Sequence, residues 1–525
     1  TFASAELSGE SEKSCVQIGN PIMERRVMDC LLQVSERGIL HSVTDCGGGG
    51  LSSAVGEMGK ESGVKVYLDR VPLKYRGLSP REIWISESQE RMVLAVPQIH
   101  IQEAIEIFER EGVEATVIGE FTNDRRLVLY YKDSRVCDIE MKFLHDGLPM
   151  PVKKAVTKAK LPVEVDVPKP VDLNSLIIEI VAGLNTSSRE WVIREYDHEV
   201  QGASAIKPLV GKYGVGPQDA VVVRPDLKKK RGVVISCGIN VRYGKLDAYN
   251  MALSVIDEAL RNMVATGGDV TNAAMLDNFC LSSPEREEVL ADLVLSARGC
   301  YDAAKCFGVP FISGKDSLYN EWVDQSGEVI AIPPVLLISA IGIIENVDQC
   351  VTMDLKEIGS DLYILGETKD ELGGSEYYRV LGVEAGAVPG LDLVNAPKIM
   401  MQLHSAIKKG LVVSCHDLSE GGLALALSEM AFAGDIGVEV DLLTVPYTGK
   451  KKRFDTILFS ESNTRFLVEV SQKNTEEFAQ LFSGLTLGRI GKTVRDQRVR
   501  IFAGDHKLVD LPLLVLRKKW LRKIL

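Results

Sequence analysis

The sequence predicts an α/β to α+β protein in which two copies of one α/β domain flank a middle unit of different character. Three observations predict it. Gly38–Gly59 (GILHSVTDCGGGGLSSAVGEMG) returns as Gly410–Ala431 (GLVVSCHDLSEGGLALALSEMA), with Asp45, Gly49, Gly50, Leu51, Glu57 and Met58 matched at one constant offset by Asp417, Gly421, Gly422, Leu423, Glu429 and Met430. The echo continues downstream: Ser86-Glu87-Ser88 with Arg91 recurs as Ser460-Glu461-Ser462 with Arg465, and Ile118-Gly119 as Ile490-Gly491. The residues between the copies follow neither pattern and carry their own helices and acidic strand ends.

Each copy of the repeat reads as strand, glycine-rich turn, helix. An apolar run (Ile39–Val43, Leu411–Val413) ends in a carboxylate, then glycines, then apolar residues at helical spacing. Backbone N–H groups and a helix start beside a carboxylate suit an anion and its metal. The competing reading is that the glycines only permit tight strand–helix packing. The first copy has four successive glycines, Gly47–Gly50, whereas the second has Ser419 and Glu420 in place of two of them. A glutamate there repels an anion, so one working and one altered site are expected.

Length and composition narrow the class. A chain of 525 residues is too long for one core. The 45% apolar and 26% charged content is that of an ordinary globular protein, and the net charge of −12 argues against general nucleic-acid binding. Ten cysteines without a C-x-x-C pair and seven histidines without zinc-like spacing suit a reducing, cytoplasmic setting. The longest apolar run, Val329–Ile344, is broken by Pro333-Pro334. It is too short for a membrane span and reads as a buried strand.

Taken in order, Glu24–Arg37 reads as helix, Val64–Leu68 as strand, Ile101–Glu111 as helix and Leu127–Tyr131 as strand. The predicted domains are 1–165 (first repeat), a proline-marked linker at 166–190, 191–345 (middle unit) and 346–525 (second repeat). The second repeat opens with a strand, Asp361–Leu365, and a glycine-rich lead-in, Leu372–Tyr378. The first lacks both, so the expectation is a first copy that begins part-way through its fold, in a piece of a longer chain. In the middle unit, Ala248–Thr266 is a helix capped by Asp247 and ended by Gly267-Gly268. It places Glu258 and Asn262 at i and i+4, where two oxygen donors either share a hard cation or form a solvated face. Met275–Asn278 ends a strand in a carboxylate, and Glu287–Cys306 is a helix. Pro310–Ser313 leads into Ser313-Gly314-Lys315-Asp316-Ser317. That segment fails the Walker pattern, because Asp316 stands where Ser or Thr follows the lysine. Acidic strand ends without a phosphate loop suggest Mg²⁺ bridging a nucleotide bound another way.

Seven stretches carry a resemblance: QIGNP (Gln17–Pro21), SESQERM (Ser86–Met92), DEALRN (Asp257–Asn262), LDNF (Leu276–Phe279), SGKDSLYNE (Ser313–Glu321), LGGSEY (Leu372–Tyr377) and HDLSEGG (His416–Gly422). Together they resemble the synthetase subunit of phosphoribosylformylglycinamidine synthase, a purine-biosynthesis ligase in the aminoimidazole ribonucleotide synthetase-like superfamily. The resemblance covers essentially the whole chain. It implies two C-terminal-type α/β domains flanking one nucleotide-type α+β domain, with the family's first nucleotide-type domain and its catalytic histidine lying outside this chain.

The resemblance implies substrate contacts from Gln17, Glu87, Ser88, Gln89 and Ser317, and nucleotide contacts from Asp277 and Gly314. It implies Mg²⁺ ligation by Asp45, and by Glu258 and Asn262 in an auxiliary nucleotide site. Small members read GGN where this chain reads Gly314-Lys315-Asp316; a lysine cannot bind Mg²⁺, so Asp316 becomes the ligand candidate there. An aspartate expected near Ser236–Asn240 is not identifiable. The implied reaction is ATP-dependent amidation of formylglycinamide ribonucleotide through an iminophosphate. Ammonia would come from a separate glutaminase subunit, beside a small accessory subunit, and the chain alone is expected to be inactive. The alternatives are another superfamily member, of the selenophosphate synthetase or thiamine-phosphate kinase type, or a non-catalytic nucleotide-binding module. No nucleic acid or membrane is expected as a partner.

Overall fold

The computed structural model describes residues 19–73, 77–157, 163, 165–195, 199, 202–450 and 452–522. The chain divides into two compact units, Thr1–Val152 and Lys153–Leu525.

The first unit is built on two small sheets. One pairs Ser42–Asp45 with Met92–Ala95; the other orders Gly119–Phe121, Val64–Tyr67, Arg126–Tyr131 and Ser134–Glu140. The helix Leu51–Met58 buries Leu51, Ala54 and Val55 in one cluster with Val64, Val66, Leu127 and Leu129. A second cluster joins Cys30 and Val34 of the helix Pro21–Glu36 to Ile107 and Phe108 of Ile101–Arg110. The short helix Pro80–Ile85, which leads into Ser86-Glu87-Ser88, starts at a capping box. Ser79 accepts from the Glu82 amide and Glu82 returns the bond, while Pro80 needs no donor there.

The second unit holds the nucleotide-type sheet and the second repeat. In the repeat, seven strands run in the order Ser414–Asp417, Phe466–Val470, Asp361–Leu365, Leu487–Val494, Gly437–Asp441, Arg498–Ala503, His506–Pro512. Asp361–Leu365 is the central link, bonded on one side to Phe466–Val470 and on the other to Leu487–Val494. Among the described residues the first repeat has no strand in that place, which is why its sheet is in two pieces.

The nucleotide-type sheet orders Phe311–Ser317, Ala273–Cys280, Val335–Ile344, Gly232–Ile239, Val221–Val223 and Ser204–Ile206. Two helices, Ala248–Ala265 and Glu287–Phe307, pack on one face, where Met251, Val255 and Leu260 join Met275, Ile338 and Ala340 in the core. Asp247 caps the first of them by accepting the Asn250 amide at 3.0 Å.

Two expectations are corrected. The run Val329–Ile344 is not one buried strand. Pro333-Pro334 cannot donate to a ladder, so Val329–Ala331 forms an exposed hairpin with Glu321–Val323, and only Val335–Ile344 enters the sheet. The stretch 166–190 is not merely a linker: Leu173–Val181 is a helix capped by Asp172, with Leu176, Ile177, Ile180 and Val181 in the core of the second repeat. Four apolar residues on one helical face account for that docking. Among the described residues no helix is long and apolar enough to cross a membrane.

Candidate functional site

The glycine turn and the Ser-Glu-Ser loop meet in both repeats, and they meet in the same way. Glu87 Oε1 accepts the Gly49 amide at 3.1 Å; Glu461 Oε1 accepts the Gly421 amide at 2.9 Å. The two serine hydroxyls of each loop face each other, Ser86 with Ser88 at 3.1 Å and Ser460 with Ser462 at 3.0 Å. Arg91 donates to the Ser86 carbonyl at 2.6 Å, and Arg465 to the Ser460 and Ser462 carbonyls. Glu90 and Thr464 both sit at φ +53°, a left-handed backbone that non-glycine residues rarely adopt. Gly50 (φ +59°) and Gly422 (φ +58°) lie so near the Ser86 and Ser460 carbonyls that a Cβ on either would overlap them.

This geometry revises the reading of the first turn as an open anion cradle. The Gly49 amide is committed to Glu87 and the Gly50 amide to the Gly47 carbonyl at 2.8 Å. One Glu87 oxygen therefore ties loop to turn. Gln89 is exposed, its Nε2 only 3.5 Å from the Glu87 carbonyl, and Asp45 is exposed at its strand end. Gln17 lies outside the described residues.

The second copy's ligand face is filled from within. Asn463, the counterpart of Gln89, donates to Ser254 Oγ at 3.0 Å and to the Pro389 and Gly390 carbonyls at 3.2 Å. Asp257 accepts the Thr464 amide at 2.8 Å, and Arg261 bridges Asp257 to Asp417. The remaining cavity, between Tyr243, Glu258, Arg261, Glu420 and Glu461, is about 10 Å³, room for about one water. Burial, then the Glu461 carboxylate, pushes the Glu420 carboxyl up to about 8. Burial likewise raises Glu461 to about 7, against the amides of Glu376 and Gly421.

Glu258 and Asn262 face the strand Gly232–Ile239. Glu258 accepts the Ile239 amide at 2.9 Å, and Asn262 donates to the Cys237 carbonyl at 3.0 Å while its Oδ1 is buried without a partner. An unpaired buried acceptor beside a carboxylate that burial, then Glu420, holds well above its ordinary pKa fits a hard cation. A different trio, Asp219, His416 and Asp417, also comes within 4.8 Å, but protein cations already balance it. His416 faces Asp219 at 2.7 Å and Glu429 at 3.0 Å with its two nitrogens, and Arg261 holds Asp417 at 3.1 Å. Burial alone would lower the imidazole's pKa; the two carboxylates outweigh it and hold it well above its ordinary value. Sequence reasoning missed Asp219 and Asp257. The signal for Asp257 was its place four residues before Arg261, and Asp219 left none.

On the nucleotide-type sheet, Asp277 pairs with Gly314, and a Cβ at Gly314 would meet Asp277 Oδ1 at 2.5 Å. The glycine thus makes room for the carboxylate. Strand alternation puts Asp316 on that same face and Lys315 and Ser317 on the other. The Gly314–Asp316 pair and Ser317 are therefore not brought to one surface.

Fold and site together define a protein of the AIR synthase related class. Residues 1–132 and 357–504 match the AIR synthase related protein C-terminal domain, and residues 217–344 match the N-terminal domain. The chain belongs to the phosphoribosylformylglycinamidine synthase subunit PurL family, a ligase family. It is 36% identical to that subunit of Thermococcus sibiricus over 516 residues, 97% of this chain and 68% of the relative. It is 35% identical to that of Methanocaldococcus jannaschii over 532 residues, 99% of this chain and 70% of the relative. Among solved structures, PurLQS from Thermotoga maritima superposes with a TM-score of 0.65 at 20% identity, covering 92% of this chain and 69% of that one. T. maritima PurL complexed with FGAR superposes at 0.63 and 21% identity, covering 91% and 66%. At these identities the structures speak for the fold.

Proposed function

We propose that this chain serves the ATP-dependent amidation of formylglycinamide ribonucleotide to formylglycinamidine ribonucleotide, in the cytoplasm, with ammonia from a separate glutaminase subunit and a small accessory subunit alongside. The supporting observation is the contrast between the repeats. Both keep the glutamate lock, the arginine brace and the left-handed residue, yet among the described residues only the second fills its ligand face with its own side chains. Relatives of this chain are named for the reaction, and T. maritima PurL has been seen with ATP and with FGAR.

In the reaction the substrate's amide oxygen attacks the γ-phosphorus of ATP, ADP leaves, ammonia adds to the iminophosphate carbon, and phosphate departs with loss of a proton. Ser88 and Gln89 offer hydroxyl and amide groups on a loop held rigid from behind by Arg91, so orientation is prepaid rather than gained on binding. Asp277 and Gly314 form the nucleotide contact proposed for the second unit. Mg²⁺ ligands are proposed in each unit separately: Asp45 in the first, and in the second Asp316 and, at the auxiliary position, Glu258 with Asn262. There it would neutralise phosphate charge.

The test is formation of formylglycinamidine ribonucleotide from ATP, formylglycinamide ribonucleotide and ammonium by the protein and its Gln89→Ala variant, each with the first nucleotide-type domain of a PurL relative added in trans. Product formation that the substitution cuts at least about tenfold supports the reading. Absence of product, or indifference to Gln89→Ala, counts against it.

A further inference from the structure

Beyond Phe311–Ser317 the chain forms a separate ribbon outside the six-stranded sheet. Pro333-Pro334 keeps Val329–Ala331 out of that sheet, so it pairs with Glu321–Val323, and among the described residues no third strand joins them. A two-stranded ribbon is marginal by itself, yet this one is fixed at both ends. At the tip Asp324 Oδ1 accepts the Ser326 amide at 2.8 Å, the Ser326 hydroxyl at 2.7 Å and the Glu328 amide at 2.8 Å. Gly327 turns the chain there at φ +86°. At the base Glu321 Oε2 accepts the Ser283 amide at 3.1 Å and Arg286 Nη2 at 2.7 Å. The Ile332 amide donates to the Asn320 carbonyl at 3.2 Å.

What is held so firmly is apolar and uncovered. Trp322 pairs with Ile330, and Ile332 follows two residues on, so the three share one face. Trp322 and Ile330 are each 55% exposed. The same alternation carries Glu328 to the tip end of that face. Between Glu321 and Ile332 the charged residues are Glu321, Asp324 and Glu328, with no lysine or arginine. Asp324 is spent on the turn and Glu321 on Arg286, which leaves the exposed Glu328 to face outward. An indole on a rigid ribbon, beside aliphatic side chains, is an anchor of the kind that dominates protein–protein binding, because little ordering remains to be done on association. The acidic end excludes an anionic lipid surface, and the net charge of −12 weighs against a second copy of this chain. It calls for a protein whose apolar groove is rimmed by lysine or arginine.

We propose that the Trp322–Ile330 face docks the glutaminase subunit. The ribbon follows directly on Ser317, the proposed substrate contact, so an ammonia source seated on it is carried by the loop that leads from that contact. That the occupant is the glutaminase rests on the function proposed above; that a basic-rimmed apolar groove covers this face does not.

The experiment is calorimetric titration, with sedimentation velocity alongside, of the full chain with the purified glutaminase subunit from the same cells. Wild type is compared with Trp322→Ser, Glu328→Lys and, as a control, Val294→Ser at an exposed position of the helix Glu287–Phe307. Unchanged melting temperatures verify that the variants fold. The wild type is expected to bind, Trp322→Ser to bind about tenfold or more weakly, and Val294→Ser to stay within about twofold of wild type. Glu328→Lys should weaken binding at least about threefold at low salt, and the gap should narrow as salt is added. Absence of wild-type binding, or equal affinity in wild type and Trp322→Ser, overturns the proposal. So does a Trp322-dependent dimer of the chain alone, or Trp322-dependent binding of the accessory subunit or of the first nucleotide-type domain in place of the glutaminase. Trp322-dependent glutaminase binding without any formylglycinamidine ribonucleotide synthesis would keep this surface and discard the catalytic reading instead.

Discussion

Arg261 donates from Nε to the Asp417 carboxylate at 3.1 Å, joining the nucleotide-type helix to the second repeat across 156 residues of sequence. The same guanidinium pairs with Asp257, which in turn holds the left-handed Thr464. All three groups are buried, and Arg261 is the guanidinium that both carboxylates share.

Arg261→Met should therefore destabilise the second unit by about 3–5 kcal/mol, because two buried carboxylates lose their counter-ion. Urea unfolding measures it. A loss under 1 kcal/mol would mean that water replaces the guanidinium and that the network is not the joint described.

Stability should fall as pH rises from about 4.5 to 8. Glu420 and Glu461 have folded-state pKa values near 8 and 7, above the ordinary 4.5, so between those limits the folded state binds more protons than the unfolded. Stability is greatest at the acid end of the window and is lost as the pair ionises against its own burial, which the nearby Arg242 only partly offsets. Glu420→Gln should flatten the profile and raise stability at pH 8.5 by roughly 1–3 kcal/mol. An unchanged slope between pH 5 and 8.5 would assign the titration elsewhere.

Gln89→Ala and Asn463→Ala should separate function from stability. The exposed Gln89 should cost under about 0.5 kcal/mol of stability but most of the turnover. Asn463→Ala removes a donor shared by three oxygens and should cost about 1–3 kcal/mol with little loss of substrate affinity. Equal effects of the two on substrate KM would place the working site in the wrong repeat.

Gly50→Ala and Gly422→Ala should each destabilise their own unit by about 2–4 kcal/mol, from the left-handed φ together with the overlap on the following loop. Two separable thermal transitions, each shifted by only one substitution, are the expected calorimetric result. Neutrality of Gly50→Ala would show that the first turn is looser than its counterpart.

Local patterns were legible because local physics makes them. Asp247 caps the helix that its sequence announces, and Asp361–Leu365 is the strand that apolar content predicts. The duplicated turn and loop were visible as matched residues, but their meeting was not. That Glu87 spends an oxygen on Gly49 is a tertiary fact with no periodicity behind it. Leu173–Val181 was lost among flanking prolines although its apolar face was in plain view. Asp219 was illegible, since its bond to His416 joins positions 197 residues apart.

The alternation that puts Lys315 on one face and Asp316 on the other makes the edge strand Phe311–Ser317 its own proofreader. A slip by one residue against Ala273–Cys280 would exchange the faces that Lys315 and Asp316 occupy and take Asp316 off the side it shares with Asp277. The pairing already shifts once, between Met275 and Leu276, so the ladder is not immune to such steps. Opposite charges at adjacent positions thus make a one-residue slip an exchange of sign on both faces at once, before any ligand arrives.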